Sequence, residues 1–233
     1  MPTVPAKPYL WPQDGSFSRS STALVIIDMQ NDFCHEQGYL VYQGGSVQHT
    51  RTVIPKIAQL LEVFRERQFP IYHTREGHRP DLSTLSSREH FRSRNNSSGL
   101  GIGDQGPLGR MLVRGEHGHD IVDELYPLEG EPVIDKPGRS AFAHTDLDLL
   151  LRIRGVRNLV ICGVTTDVCV HSTMREANDR GYDCLLVEDA SGAGTDGLHR
   201  AAVEMVQHEG GIFGAVATTA DIMKAVKDSA NGG

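Results

Sequence analysis

Hydrophobic positions fall into short apolar runs that alternate with stretches of helical period. Thr22-Ala23-Leu24-Val25-Ile26-Ile27 is continuous, apolar and rich in β-branched residues, which predicts a strand buried on both faces. Comparable runs predict strands over 70–74, 132–135, 158–162, 182–189 and 212–216. Between them, Val53, Ile57, Leu60, Leu61 and Phe64 set a helical spacing within 46–67, with Pro55 placed for a first turn. Further helices are predicted over 145–154, 172–180, 196–209 and 220–227. Strand and helix in alternation predict an α/β, three-layer αβα fold. Its six-stranded, mostly parallel sheet carries helices on both faces, joined by right-handed crossovers.

The pattern fails in two places. Residues 1–20 are rich in Pro and Ser and read as an extended arm, lying on the surface or on a neighbouring subunit. Residues 75–120 are rich in Arg, Ser and Gly, an excursion of the kind that forms a lid or an interface. At 233 residues, a single domain over 1–233 with these two appendages is expected.

Charge and composition narrow the partners. A net charge of -7 argues against nucleic acid and anionic membranes. No run approaches the roughly 18 apolar residues of a membrane span, and Met1 to Trp11 lacks the apolar core of a signal peptide. The four cysteines, 34, 162, 169 and 184, have no C-x-x-C spacing, which fits a reduced, cytoplasmic setting.

Three chemically able residues fall at the carboxyl ends of predicted strands, where open parallel sheets build their sites. Asp28 follows 22–27, Lys136 follows 132–135, and Cys169 lies between 158–162 and the helix over 172–180. A thiol at that boundary is expected to feel the positive end of the helix, which favours the thiolate. An aspartate can take a thiol's proton, and a lysine can hold the aspartate ionised and stabilise anions. Each residue has an ordinary structural role available. A buried cysteine is often simple core, an aspartate after a strand often caps a turn, and a lysine before Pro-Gly is often solvated.

The motifs resemble those of the isochorismatase-like cysteine hydrolases. The resemblance is carried by Ile26-Ile27-Asp28-Met29-Gln30-Asn31-Asp32-Phe33, Ile134-Asp135-Lys136-Pro137 and Gly163-Val164-Thr165-Thr166-Asp167-Val168-Cys169-Val170. Within that superfamily the nearest likeness is to the biuret and triuret hydrolases. It rests on His73-Thr74-Arg75-Glu76-Gly77-His78-Arg79-Pro80-Asp81-Leu82, Gly101-Ile102-Gly103-Asp104 and the stretch from Thr173 to Tyr182. The resemblance implies that Asp28 is the base, Lys136 its cationic partner and Cys169 the nucleophile. It also implies a cis peptide at Val164–Thr165, an oxyanion hole of the Thr165 and Cys169 N–H groups, and a homo-oligomer, dimer or tetramer. The expected reaction is cleavage of a C–N bond in a small linear ureide, biuret or triuret, with release of ammonia through a covalent cysteine intermediate. The alternatives are a ureidoacrylate or N-carbamoyl amino acid amidohydrolase and a non-catalytic binding member of the fold.

Two residues bear on substrate choice. Phe33 is expected to lie against a planar ureide, with core packing as its plain alternative. Glu209 stands where the biuret hydrolases carry a glutamine. A carboxylate only accepts hydrogen bonds, which leans toward the longer triuret. No metal or other cofactor is expected: His73 and His78 lack the Asp-x-His spacing of the zinc-binding nicotinamidases, and Gly101-x-Gly103 lacks the dinucleotide spacing. The Arg cluster over 88–94 reads as a solvated or intersubunit face, while Arg75 and Arg79, in the loop beyond the second strand, are better placed to meet a substrate or to order the loop.

Overall fold

The computed structural model describes residues 3–229. Six strands form one parallel sheet: β1 (Thr22–Ile27), β2 (Ile71–Glu76), β3 (Val133–Lys136), β4 (Asn158–Val164), β5 (Asp183–Gly192) and β6 (Ala215–Ala217), in the order β3-β2-β1-β4-β5-β6. Strand order reverses between β1 and β4, so the crevice beyond their carboxyl ends is the topological switch point. The register pairs Leu24 with Ile71 on one side and Val160 on the other.

Alternation along the strands sorts the core into two layers. Leu24, Ile26, Val160 and Leu185 face α1 (Ile54–Glu66) through Ile57, Leu60 and Phe64. Val25, Ile27, Leu159 and Ile161 face the other way, toward α2 (Leu147–Ile153), α3 (His171–Asp179) and α4 (Asp196–Gly211) through Leu151, Met174 and Val206. The helix α5 (Thr219–Asp228) returns to the first layer through Ile222 and Val226, behind a capping box of Thr218 and Asp221. The helix predicted over 46–67 is two, Val47–Arg51 and Ile54–Glu66, with Pro55 in the first turn of the second, where its missing N–H costs nothing. Among the described residues no helix is long and apolar enough to cross a membrane.

The two appendages are ordered by specific polar contacts. The arm does not stand free on the surface: Lys7 pairs antiparallel with Val216 and covers the open edge of β6. Trp11 is buried, and its Nε1–H donates to Asp183 at 2.8 Å. The excursion holds a short helix, Ser87–Ser93, and a hairpin of Gln105–Gly106 with Gly109–Arg110. The buried Asp32 carboxylate fastens it to the sheet by accepting from the Leu112 N–H at 2.8 Å.

Candidate active site

Three strands deliver the site. β1 ends in Asp28, whose φ of 50° turns the chain sharply at the strand's end; aspartate tolerates this left-handed conformation better than most residues. The turn leaves Asp28 fully buried. Its Oδ1 accepts from the Thr74 hydroxyl at 2.6 Å, and its Oδ2 lies 2.7 Å from Lys136 Nζ. Lys136, at the end of β3, is likewise fully buried, and its ammonium also donates to the Gly138 carbonyl at 2.8 Å.

Cys169 sits within a π-helical turn, Thr166–Val170, that precedes α3, a backbone irregularity common at functional sites. The Thr165 carbonyl accepts from both Val168 and Val170 N–H groups and closes this turn. Thr173 braces it: its hydroxyl donates to the Cys169 carbonyl at 2.7 Å and accepts from Ala141 N–H at 3.0 Å. The turn that bears Cys169 is thereby tied to the loop that follows Lys136. Val164–Thr165 is a cis peptide, as the resemblance implied. No acceptor among the described residues engages the Thr165 N–H.

A fourth residue completes the cluster, and sequence reasoning missed it. Glu76 Oε2 accepts from Cys169 Sγ–H at 3.2 Å and lies 3.5 Å from Lys136 Nζ. The strand predicted to end at Thr74 runs on to Glu76, which pairs in register with Lys136. Period-two alternation puts Thr74 and Glu76 on one face, the face of Asp28. The usable signal was this alternation carried two residues further. Gln30 then fixes the strand end: its amide oxygen accepts from Glu76 N–H at 2.7 Å, and its amide nitrogen donates to the carbonyls of Glu76 and His119.

The electrostatics correct one expectation. The Cys169 thiol is not poised as a thiolate. Burial pushes it well above its ordinary value, and the Glu76 and Asp28 carboxylates add to this against the opposing Lys136 charge. Burial also pushes the Asp28 carboxyl up, with Lys136 pulling it back and Glu76 adding to the rise. Burial works against the Lys136 charge, but Asp28, Cys169 and Glu76 outweigh it and hold the ammonium above its usual range. The oxygen and sulfur atoms of Asp28, Glu76 and Cys169 lie within 4.8 Å of one another, a set able to hold a metal ion. Here the Lys136 ammonium stands against both carboxylates and answers their charge.

The remaining predicted residues lie elsewhere. Phe33 is buried in the first core layer, edge-on to Tyr39 with ring centroids 6.2 Å apart. Glu209 is a correction. α4 leaves the carboxyl end of the sheet at Asp196 and runs back toward the amino end of β6, and Glu209 stands at its far end with a side chain 66% exposed. The chain departs from helical geometry at His208–Gly210, and Glu209 lines a surface hollow with Arg175, Met205 and Phe213 in place of touching the Cys169 cluster. Arg75 points to the opposite face of β2 and pairs with Asp135 and Asp120. At the mouth, Glu89 on the short helix holds both Arg92 and Arg139, and Arg92 donates to the Tyr39 hydroxyl.

A parallel sheet with a thiol, an ammonium and two carboxylates buried at its switch point places the chain among α/β proteins of the hydrolase class. Within it, the chain belongs to the isochorismatase family: the isochorismatase domain matches residues 22–221. Its relatives there are amidohydrolases. It is 33% identical over 217 residues to ureidoacrylate amidohydrolase RutB of Azorhizobium caulinodans, covering 92% of this chain and 94% of that one. It is 32% identical over 231 residues to RutB of Rhizobium rhizogenes, covering 98% and 91%. A cysteine hydrolase from Pseudomonas syringae pv. phaseolicola superposes with a TM-score of 0.79 at 25% identity, over 98% of this chain and 99% of that one. The N-carbamoylsarcosine amidase of Thermoplasma acidophilum does so with 0.65 at 26%, over 85% and 96%. These relatives' names match the ureidoacrylate and N-carbamoyl alternatives drawn from the sequence, rather than biuret or triuret hydrolase.

Proposed function

We propose that the chain hydrolyses a C–N bond of a small ureide, with Cys169 as nucleophile, Lys136 as the cation of the site and a neighbouring carboxylate as proton carrier. The observation that carries this reading is the convergence of Cys169 Sγ, Glu76, Lys136 and Asp28 from three strand ends and one helical turn. Thiolate attack on a ureido carbonyl gives a carbamoyl-enzyme and frees the departing nitrogen; water then releases the acyl group. Thr165 N–H, with that of Cys169, is the donor pair for the oxyanion.

Uncharged linear ureides are the first reading of the substrate. Asp28, Glu76 and Lys136 sum to one net negative charge around the thiol, which disfavours an anion there and favours a ligand rich in N–H donors. With Glu209 removed from the site, nothing separates biuret from triuret. Ureidoacrylate is the second reading. It is supported by the relatives' names and by Arg92 and Arg139, which together with Arg88 share the single Glu89. Ammonia release across biuret, triuret, ureidoacrylate, N-carbamoylsarcosine and nicotinamide tests the proposal, with Cys169→Ser as control. Turnover of at least one ureide, lost in that variant, is expected; an inert wild type, or an active Cys169→Ser, overturns it.

A further inference from the structure

We propose that a second copy of this chain docks on the outer face of α4 and clamps the turn that bears Cys169. α4 carries more apolar surface than its own chain covers. Ala202 and Val206 are buried, whereas Leu198, Ala201 and Met205 recur at helical spacing on the adjoining side and stay exposed. Leu198 and Met205 are each 49% exposed, Ile212 at the end of the helix 45%, and Val168 in the Thr166–Val170 turn 38%. Two hollows of about 300 and 470 Å³ run along this face, and Arg175, Ala201 and Met205 line both. Asp167 borders the first and Phe213 the second.

The charges on this face point to what covers it. Arg175 donates through Nε to His171 Nδ1 at 2.9 Å and lies 4.1 Å from the Phe213 ring centroid, but it pairs with no carboxylate among the described residues. Glu204 and Glu209 line the larger hollow and are exposed. Among the described residues Glu204 pairs with no cation, and Glu209 has only His208, at 3.8 Å. A surface with an unpaired cation, unpaired carboxylates and an apolar stripe is complementary to itself. A two-fold axis sets Arg175 of each copy against a glutamate of the other and closes the two stripes together. Docking reaches the chemistry through the turn. Asp167 and Val168 belong to the π-helical turn of Cys169, whose Val168 and Val170 N–H groups donate to the Thr165 carbonyl. Covered by a second copy, that turn opens less often, and Cys169 keeps its place against Glu76.

Sedimentation velocity of the full chain, from nanomolar to high micromolar concentration, tests the docking. Amide hydrogen exchange over 165–170 tests the clamp, and neither measurement needs a substrate. Wild type is expected as a dimer or a higher even assembly. Met205→Glu and Glu204→Lys/Glu209→Lys change exposed side chains only. Each is expected to raise the dissociation midpoint about 100-fold, because a two-fold contact is altered twice. Ile153→Glu, at a side chain 76% exposed on α2, is expected to leave that midpoint unchanged. On dissociation the 165–170 amides are expected to exchange about tenfold faster. A wild type that is monomeric throughout leaves the face to another partner and overturns the proposal. So does a Met205→Glu that is folded by circular dichroism and assembles like wild type; if it does not fold, Glu204→Lys/Glu209→Lys decides in its place. Dissociation that leaves exchange over 165–170 unchanged overturns the clamp.

Discussion

The Lys136 ammonium lies 2.7 Å from Asp28 Oδ2, and neither side chain is exposed to solvent. Two ions this deep are held by each other, so removing one leaves the other without a partner. Lys136→Met is therefore expected to cost about 3–5 kcal/mol of folding stability, more than Asp28→Asn/Lys136→Met together. Urea unfolding of both variants at pH 7 checks this. A double variant no more stable than Lys136→Met would show that the pair does not act as a unit.

Gln30 makes three hydrogen bonds that hold the end of β2, two of them to the Glu76 backbone. Gln30→Leu fills similar space but leaves a buried N–H and two carbonyls unpaired. A loss of about 2–4 kcal/mol is expected, together with a fall in turnover in molecules that remain folded, because Glu76 loses its placement. Thermal unfolding and active-site-normalised kinetics measure the two separately.

Much of this was readable in the chain itself, and the gaps have physical causes. The buried strands are uninterrupted apolar runs, so β1 and β4 stand out, and Asp28, Lys136 and Cys169 fall at strand ends where a parallel sheet opens. Glu76 was hidden because the charged residues from Arg75 onward look like a strand that has stopped. In the fold they continue the ladder, with Arg75 turned to Asp135 and Glu76 turned to the thiol. Glu209 misled because its chain neighbourhood resembled a substrate-binding motif, whereas α4 carries it away from the strand ends that form the site. The protonation of Cys169 was misjudged for a third reason. Helix position was legible, but burial beside two carboxylates is a tertiary property.

Gly163 has a φ of 112° and packs its Cα against the Ile27 backbone, where a Cβ would collide with the Ile27 carbonyl oxygen. β1 and β4 touch here, one residue before Asp28 and two before Thr165. Gly→Ala at a compatible site stabilises by about 0.4–1 kcal/mol; Gly163→Ala, at a positive φ with no room for a Cβ, is expected instead to destabilise by more than that and to lower activity by parting the two strand ends. Chemical denaturation alongside turnover tests it; a variant with unchanged stability would contradict the contact.

Glu131 accepts from Arg65 through both oxygens and also from Leu128 N–H, with His73 Nε2 3.1 Å away. Burial alone would raise its carboxyl, but Arg65 and His73 overcome this and hold it at about 2. A carboxylate lowered in the fold stabilises fully above its unfolded value near 4.5 and loses that contribution as pH falls through about 2. Glu131→Gln should thus cost about 1.5–3 kcal/mol at pH 7, and the gap to wild type should narrow steadily below about pH 4.5. Unfolding curves of both proteins at several pH values measure this; a gap that widens on acidification would reverse the assignment.

Asp183, at the amino-terminal start of β5, accepts from Trp11 Nε1 at 2.8 Å, the Tyr9 hydroxyl at 3.1 Å and Gln13 N–H at 2.9 Å. These three bonds seat the arm whose Lys7 pairs with Val216 on the edge strand. Asp183→Ala frees the arm, strands a buried indole N–H, and opens a row of unpaired backbone groups along β6. The expected result is a loss of about 2–4 kcal/mol with light-scattering aggregation on mild heating. Turnover per folded molecule should stay near wild type, because Asp183 lies at the opposite end of the sheet from Cys169. If Asp183→Ala unfolds and scatters like wild type, the arm contributes no cover to that edge.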